Sequence, residues 1–310
     1  MNTKTLETKR IIIFLASTFL LTIGYCVGII YPALKGGDLS DSNSSVITLL
    51  IAVVMFFPSI GVLFTRLITK EGFKNCWLNP HFKGNIKVYL LAYFAPGILT
   101  VLGALVYFLV IPGSFDKNCG YMQQAIEATS VSPDAYPVPL PALLAIQTIE
   151  GMLLGPILNF IPCFGEEWGW RGYLLPKMSE KLSPIPMLLI NGIIWGLWHA
   201  PLTAIGHNYG VGYLGFPFTG ILAMCCFCIV MGTFLSYVAM KSRSCIPSML
   251  AHGAINSIAA TGMYFTKDGG NPFIGPAPTG ILGGIPFIIT AVVIVIFYFR
   301  KASYNNSNNK

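Results

Sequence analysis

Charged residues are scarce in this sequence of 310 residues. They make up 10% of it, against about 25% in an average soluble domain. Apolar residues make up 54%, and the mean hydropathy is +0.68. This composition excludes an ordinary soluble domain and predicts a multi-pass membrane protein. The net charge of +7 is then an asymmetry between loops, so we expect a lipid bilayer and not nucleic acid as the partner.

Several sequence signals are missing as well. The eight cysteines have no zinc-binding spacing, and Cys119 is the only one in a long outer loop, so no disulfide framework is expected. The first apolar run is followed by no small-x-small cleavage site, which argues against a cleaved signal peptide. The His-Glu-x-x-His pattern of many zinc proteases is also absent from the sequence.

Long apolar runs are abundant, and eight of them have about the 20 residues that a membrane-crossing helix needs. No segment between them is long enough to fold alone. The sequence therefore predicts an all-α polytopic transmembrane bundle of about eight helices in a single domain, 1–310, with a disordered tail at 302–310. The eight runs are Ile11–Ile30, Val46–Thr65, Val88–Ile111, Leu140–Gly165, Pro184–Gly206, Leu214–Met240, Ile246–Phe265 and Ala277–Phe299.

The distribution of Lys and Arg predicts the orientation. With the N-terminus inside, sixteen of the 19 basic residues fall in inner segments, and the outer segments hold Lys35, Lys117 and Lys267. Because basic loops stay in the cytoplasm, we expect both termini to be cytoplasmic and the protein to lie in the plasma membrane. The longest outer loop is Pro112–Pro139.

The fourth apolar run belongs to a segment, Leu140–Lys181, that is too long for one straight crossing. Pro156 and Pro162 are possible break points. We expect a bent element whose second half is a helix from about Cys163 to Met178, with its end at the cytoplasm.

The second half of this element contains the densest charge in the chain. Glu167 and Arg171 are four residues apart, so on a helix they share a face and can pair. Glu166 lies about 100° round the helix and is free for another task. A charge at membrane depth costs ~2.5–3.5 kcal/mol, so it usually faces the bundle interior and has a function.

Two later spans contain the other polar candidates. His199 lies about 21 Å from the cytoplasmic start of its span, and His252 about 9 Å from the start of its own. Asn256 is four residues after His252 and shares its helix face. These depths are compatible with one buried site that opens to the inner side. A carboxylate that activates water, a histidine that orients it and donors for an oxyanion are what amide hydrolysis needs.

These residues form three short motifs: Glu-Glu-x-x-x-Arg-Gly from Glu166, an aromatic-x-x-x-His step from Trp195, and His-x-x-x-Asn from His252. In residue type, order and placement they resemble the CPBP family, which groups type II CAAX prenyl proteases with bacteriocin-processing enzymes. The resemblance covers about Pro141–Gly262. The second motif often has Phe where this chain has Trp195, a change from which we expect different packing and not different chemistry.

The resemblance implies an intramembrane endopeptidase that hydrolyses membrane-associated or CAAX-like peptides, with a substrate that arrives from the cytoplasmic side or laterally from lipid. A prenylated substrate follows from the family name alone, and processing of a secreted peptide or immunity to one is equally open. The implied roles fall into three pairs: the catalytic glutamate and the water-activating histidine (Glu166 and His199), the oxyanion pair (His252 and Asn256), and the supporting pair (Glu167 and Arg171).

Other interpretations remain open at this stage. Glu166, His199 and His252 could hold zinc or another divalent metal, and a metal-free glutamate mechanism would use the same residues. Buried Glu, Arg and His also occur in proton- or ion-coupled transporters, and a non-catalytic scaffold could keep the motifs for stability. His207 is expected to be a loop residue. The four tryptophans beside the motifs form either a membrane-interface belt or the walls of a site.

Overall fold

The computed structural model describes residues 3–36, 41–128 and 136–299, and these ranges contain helices and loops but no β-strand. The all-α prediction is confirmed, whereas the predicted disordered tail at 302–310 lies outside the described residues. The α-helices are α1 Thr3–Tyr25, α2 Tyr31–Gly36, α3 Asp41–Val54, α4 Phe57–Ile68, α5 Ile86–Val110, α6 Gly120–Glu127, α7 Leu140–Leu158, α8 Phe160–Gly169, α9 Leu175–Ser179, α10 Pro184–Trp198, α11 Ala200–Thr203, α12 Phe218–Ser242, α13 Ile246–Ile258, α14 Thr261–Tyr264 and α15 Ile281–Ile294.

Each of the eight predicted spans contains helix. Among the described residues, six helical segments are long and apolar enough to cross a membrane, and α10 and α13 are shorter. Large apolar side chains point outward, such as Leu109 and Phe297, which are 81% and 71% exposed. An outward apolar surface of this extent is unfavourable in water and suits lipid. The chain is therefore an integral multi-pass membrane protein.

The fourth element is bent, as predicted, but the break is not at a proline. Helix α7 ends at Leu158 and α8 begins at Phe160. Asn159, between them, donates from Nδ2 to the Gly155 carbonyl at 3.1 Å and to Ser257 Oγ at 2.9 Å. The Gly155 carbonyl also accepts from the backbone N–H of Asn159 at 3.0 Å, so the side-chain amide adds a second bond at the helix end and connects it to Ser257.

Glycines bring α10 and α12 into close contact. A Cβ on Gly192 would lie 2.5 Å from Cα of Ile229, and one on Gly196 would lie 2.5 Å from Cα of Cys225. Because Gly192 and Gly196 are four residues apart, they form one flat stripe on α10. Small residues at this spacing let membrane helices approach and pack.

One end of the bundle contains a cluster of ion pairs, which we call the Lys177 end. Lys177 Nζ donates to Glu7 and to Glu71, and the Tyr173 hydroxyl also donates to Glu71 at 2.7 Å. Lys241, at the end of α12, lies over the ring of Tyr298. The Cys245 N–H, just after α12, donates to the Trp77 carbonyl at 2.8 Å, and Trp77 lines a cavity together with Lys177. Helices α12 and α15 therefore both run toward the Lys177 end, and the loops 204–217 and 265–280 that precede them lie at the opposite end.

Candidate active site

The predicted pair of Glu167 and Arg171 is formed and fully buried. Arg171 Nη1 donates to Glu167 Oε1 at 2.9 Å. The guanidinium lies over the Trp195 ring, 4.1 Å from its centroid, and a Cβ on Gly232 would lie 3.1 Å from Arg171 Nη2. The flat cation is thus held between an aromatic ring and a glycine. Removal of one member of a buried ion pair leaves an uncompensated charge and strongly destabilises the fold. Each of the two residues therefore depends on the other for its buried position.

A second partner joins this pair to helix α13. Nδ1 of His252 lies 3.0 Å from Glu167 Oε1. A carboxylate accepts hydrogen bonds and does not donate them, so Nδ1 carries the proton and donates. Glu167 therefore orients the ring of His252 while Arg171 holds Glu167, and the Nε2 atom of the ring is left for another partner.

Glu166 is buried, 3% exposed, and lies on a different side of α8 from Glu167. Its Oε2 accepts a hydrogen bond from Trp195 Nε1 at 2.9 Å. Trp195 therefore contacts both carboxylate systems, one through its indole N–H and the other through its ring over Arg171. The expectation that Trp195 differs from Phe in packing alone is therefore wrong, because a Phe ring has no N–H to donate to Glu166.

His199 immediately follows the last residue of α10. Its Nδ1 lies 2.9 Å from the Trp195 carbonyl oxygen, and a carbonyl can only accept. The proton of the neutral ring is therefore on Nδ1, and Nε2 has a free lone pair. A histidine in this tautomer can accept a hydrogen bond from a water molecule.

Four of the six predicted site residues line one pocket of about 140 Å³: Glu166, His199, His252 and Asn256. Glu167 and Arg171 lie behind it. Asn256 is exposed, and its amide lies 3.8 Å from the Cys163 sulfur, a weak acceptor. The structure thus brings four of the predicted residues to one pocket and places the other two behind it, while the role of each residue stays a prediction.

The pocket has further lining residues that sequence reasoning missed. His207 and Asn208 come from the loop 204–217, and Pro278 and Thr279 come from the loop 265–280. Stacking of Tyr209 on Phe273, with centroids 5.1 Å apart, holds the two loops together. His207 is in a loop, as expected, but no local motif in the sequence indicates that this loop covers the site.

The pocket extends toward the end that carries these loops, not toward the Lys177 end. The expectation of a site that opens to the inner side stays a prediction, since the side of the membrane on which each end lies rests on the count of basic residues. Toward the Lys177 end, every residue of the π-helical turn Trp170–Leu174 is buried, and this turn fills the space. On the other side, α10 ends at Trp198, and Leu202 and His207 from the following segment line the pocket.

The four tryptophans beside the motifs are all buried: Trp168, Trp170, Trp195 and Trp198. Burial excludes a belt at the membrane surface. Trp195 and Trp198 line the pocket, and they exclude water from the sides of the carboxylate and the histidine. The wall interpretation therefore holds for these two residues, while Trp168 and Trp170 belong to the core.

A metal site is not assembled by these side chains. Among the residues that the structure describes, no three His, Cys, Asp or Glu side chains are close enough to hold a metal ion. The three predicted ligands Glu166, His199 and His252 line one pocket but do not form such a group, so metal binding there stays a prediction. Both histidines have a protein partner for Nδ1, which leaves the Nε2 atom of each ring free.

Comparisons with known proteins give one family match and two relatives. The sequence model of the type II CAAX prenyl endopeptidase Rce1-like family matches residues 148–258, which include all six predicted site residues. CAAX prenyl protease 2 of Methanococcus maripaludis is 29% identical over 92 residues, 29% of this chain and 34% of the relative. Lysostaphin resistance protein A of Staphylococcus haemolyticus is 26% identical over 158 residues, 50% of this chain and 39% of the relative. The similarity thus spans between a third and two fifths of each relative.

Proposed function

We propose that the chain is an intramembrane endopeptidase of the CPBP type, in which Glu166 activates a water molecule for attack on a peptide bond. The match of residues 148–258 to the type II CAAX prenyl endopeptidase family supports this proposal. The observation that carries this proposal is the single pocket that joins the Glu166 carboxylate with His199, His252 and the Asn256 amide. A buried carboxylate beside an open polar cavity is the arrangement that general-base catalysis requires.

The first step is the attack on the carbonyl carbon. Glu166 removes one proton from the water, and the free Nε2 of His199 accepts a hydrogen bond from its other O–H. The resulting hydroxide adds to the carbonyl carbon, and the carbonyl oxygen becomes an oxyanion. A positioned general base of this kind contributes about 10²–10⁴-fold to the rate.

The second step uses the other side of the pocket. Asn256 Nδ2 donates to the oxyanion, and His252 donates from Nε2 when its ring carries both protons, a state that the adjacent Glu167 carboxylate stabilises. Glu166 then returns its proton to the leaving nitrogen, and the C–N bond breaks. The products are a new carboxyl terminus and a new amino terminus, so atoms and protons balance.

We propose that this reaction needs no metal ion, since the residues do not form a ligand set and one glutamate can serve as base and acid in turn. The proposed substrate is a peptide or a membrane-protein segment in the bilayer, here the plasma membrane. The prenylated terminus in the name of the archaeal relative is one member of this class.

The experiment is digestion of a library of membrane-spanning peptides by the purified protein in lipid nanodiscs, with products identified by mass spectrometry. Parallel samples contain a strong chelator such as EDTA. We expect defined cleavage products, with rates that change less than twofold when the chelator is added. No cleavage of any peptide would contradict the protease proposal, and loss of cleavage in chelator with recovery by zinc would contradict the metal-free mechanism alone.

A further inference from the structure

A second cavity borders the candidate active site on its lipid side. It is a groove of about 290 Å³ between α12 and α15, which we call the α12–α15 groove. Its principal lining residues are Leu222, Cys226, Val230, Ile281, Gly284 and Ile288. The groove and the pocket share three lining residues, Phe227, Pro278 and Thr279. These three residues form the boundary between a polar cavity and an apolar one.

The pocket cannot hold a peptide substrate by itself. Its volume of about 140 Å³ is well below the ~300–1,000 Å³ of cavities that enclose a whole small-molecule ligand. It therefore has room for the atoms around the bond that is cleaved and little more. The side chains on either side of that bond must lie in neighbouring space, and the groove is such a space.

The chemistry of the groove restricts what can occupy it. Its lining contains no charged residue, and its polar members are Thr219, Cys226 and Thr279. Leu222 and Ile281, at its rim, are 65% and 68% exposed, so the groove is open to lipid. Gly284 deepens it on the α15 side, where a Cβ would lie 3.0 Å from the Pro278 carbonyl. An apolar side chain that comes from the bilayer meets these conditions, whereas a charged one does not.

We propose that the α12–α15 groove is the subsite for the apolar substrate side chain next to the cleaved bond, and that the substrate enters the pocket laterally between α12 and α15. This inference rests on the proposed function. Because lipid tails are as apolar as leucine, the groove gains little from the hydrophobic effect and selects by shape and packing. One methylene group more or less in an apolar subsite changes kcat/KM by about 10–200-fold, so the groove would set the sequence preference.

The test compares cleavage preferences of variants on the same library of membrane-spanning peptides in nanodiscs. Cys226→Trp fills the groove, and Leu222→Ala widens it. The matched control is Val292→Trp, on α15 and half exposed, because Val292 does not line the groove. Thermal unfolding of each variant in the same nanodiscs separates misfolding from a changed preference.

We expect the wild-type products to share a Leu, Ile, Phe or Met at one position beside the cleaved bond. Cys226→Trp should lower kcat/KM for those peptides at least tenfold and shift the preference to Ala or Gly, and Leu222→Ala should shift it to larger residues. Val292→Trp should behave like the wild type. Active, folded groove variants with an unchanged preference would overturn the subsite, leave the protease proposal intact and indicate that lipid occupies the groove. A wild type that cleaves nothing would overturn both proposals.

Discussion

Among single residues, Asn256 separates a catalytic role from a structural one most clearly. It lines the pocket, and its exposed amide contacts only a weak acceptor. If it donates to the oxyanion, Asn256→Ala should lower kcat by about 10²–10³-fold with little change in KM and no change in the melting temperature. Steady-state kinetics on a cleaved library peptide measures this.

The matched control is another amide on a neighbouring element. Asn159 joins α7 to α13 through the Ser257 hydroxyl, so Asn159→Ala should lower thermal stability, by about 1–3 kcal/mol for the unsatisfied partner. If Asn256→Ala also loses stability and keeps its kcat, Asn256 makes a stabilising polar contact between helices and takes no part in the reaction.

Arg171 is predicted to act through the fold. Arg171→Leu removes the guanidinium that pairs with Glu167 and leaves a buried carboxylate without its arginine, at a cost of about 3–5 kcal/mol. We expect poor expression and a strongly lowered melting temperature in detergent. Arg243→Leu, at an exposed position, should fold normally. An Arg171→Leu protein with wild-type stability and activity would contradict the supporting role.

At the same scale, local spacing was a good guide where a helix fixes the geometry. The steps from Glu167 to Arg171 and from His252 to Asn256 each lie within one helical stretch, so periodicity predicted which side chains share a face. The contact of His252 with Glu167 joins two segments that are far apart in the sequence. Helical periodicity cannot predict a contact of this kind. The motif resemblance, and not the spacing, predicted that these segments meet.

At the scale of elements, the contact of α10 with α12 controls where Trp195 and His199 lie. Gly196→Ala would place a methyl group 2.5 Å from the α12 backbone, and overpacking of this kind costs about 1–3 kcal/mol. We expect a lower melting temperature together with reduced cleavage, because α10 must move away from the pocket. Activity and thermal unfolding measured on the same nanodisc preparation test both effects.

The control for this change is a glycine with open space around it. A Cβ on Gly24 of α1 would meet nothing within 4 Å, so Gly24→Ala should leave stability and cleavage unchanged or raise stability slightly. Equal behaviour of the two variants would show that the α10–α12 distance is not limited by Gly196.

The course of the fourth element was predictable only in outline. Its length required a bend, and Pro156 and Pro162 suggested where, yet the break is at Asn159. Both prolines fit within helices, because a proline in the first turn lacks no hydrogen bond and one near a helix end disrupts little. The π-helical turn Trp170–Leu174 depends on packing against other helices, including Gly169 on Pro58, and sequence alone does not contain it.

At the scale of the whole molecule, orientation in the membrane is a prediction from charge that the structure makes easy to test. The exposed Asn118 and Lys241 lie in segments expected on opposite sides of the membrane. The test introduces one cysteine at either position, in a protein whose Cys76 and Cys226 are replaced by serine. In intact cells, an impermeant maleimide should then react with one of the two positions and not with the other. We expect labelling of Asn118→Cys from outside and of Lys241→Cys only after the membrane is opened. Labelling of both from outside would refute the eight-span topology.

Composition and charge were sufficient to predict a helical membrane bundle, because they depend on solvation of the chain as a whole. The direction of the pocket was not predictable in this way. The position of a residue along its span gives the membrane depth of His199 and His252. It does not show on which side other side chains close the pocket, and here the buried turn Trp170–Leu174 closes it toward the Lys177 end. The loop with His207 reaches the pocket through tertiary packing, for which the sequence has no local signal.

The most direct test of the account is the effect of Glu166→Gln on cleavage. This change keeps the shape and the hydrogen-bond acceptor for Trp195 but removes the general base. Glu150→Gln is the matched control, since Glu150 is an exposed carboxylate on α7 that does not line the pocket. We expect kcat to fall by at least about 10²-fold in Glu166→Gln, with an unchanged melting temperature, and to stay within twofold of wild type in Glu150→Gln. A folded Glu166→Gln protein that cleaves the library peptides at the wild-type rate would contradict the central claim.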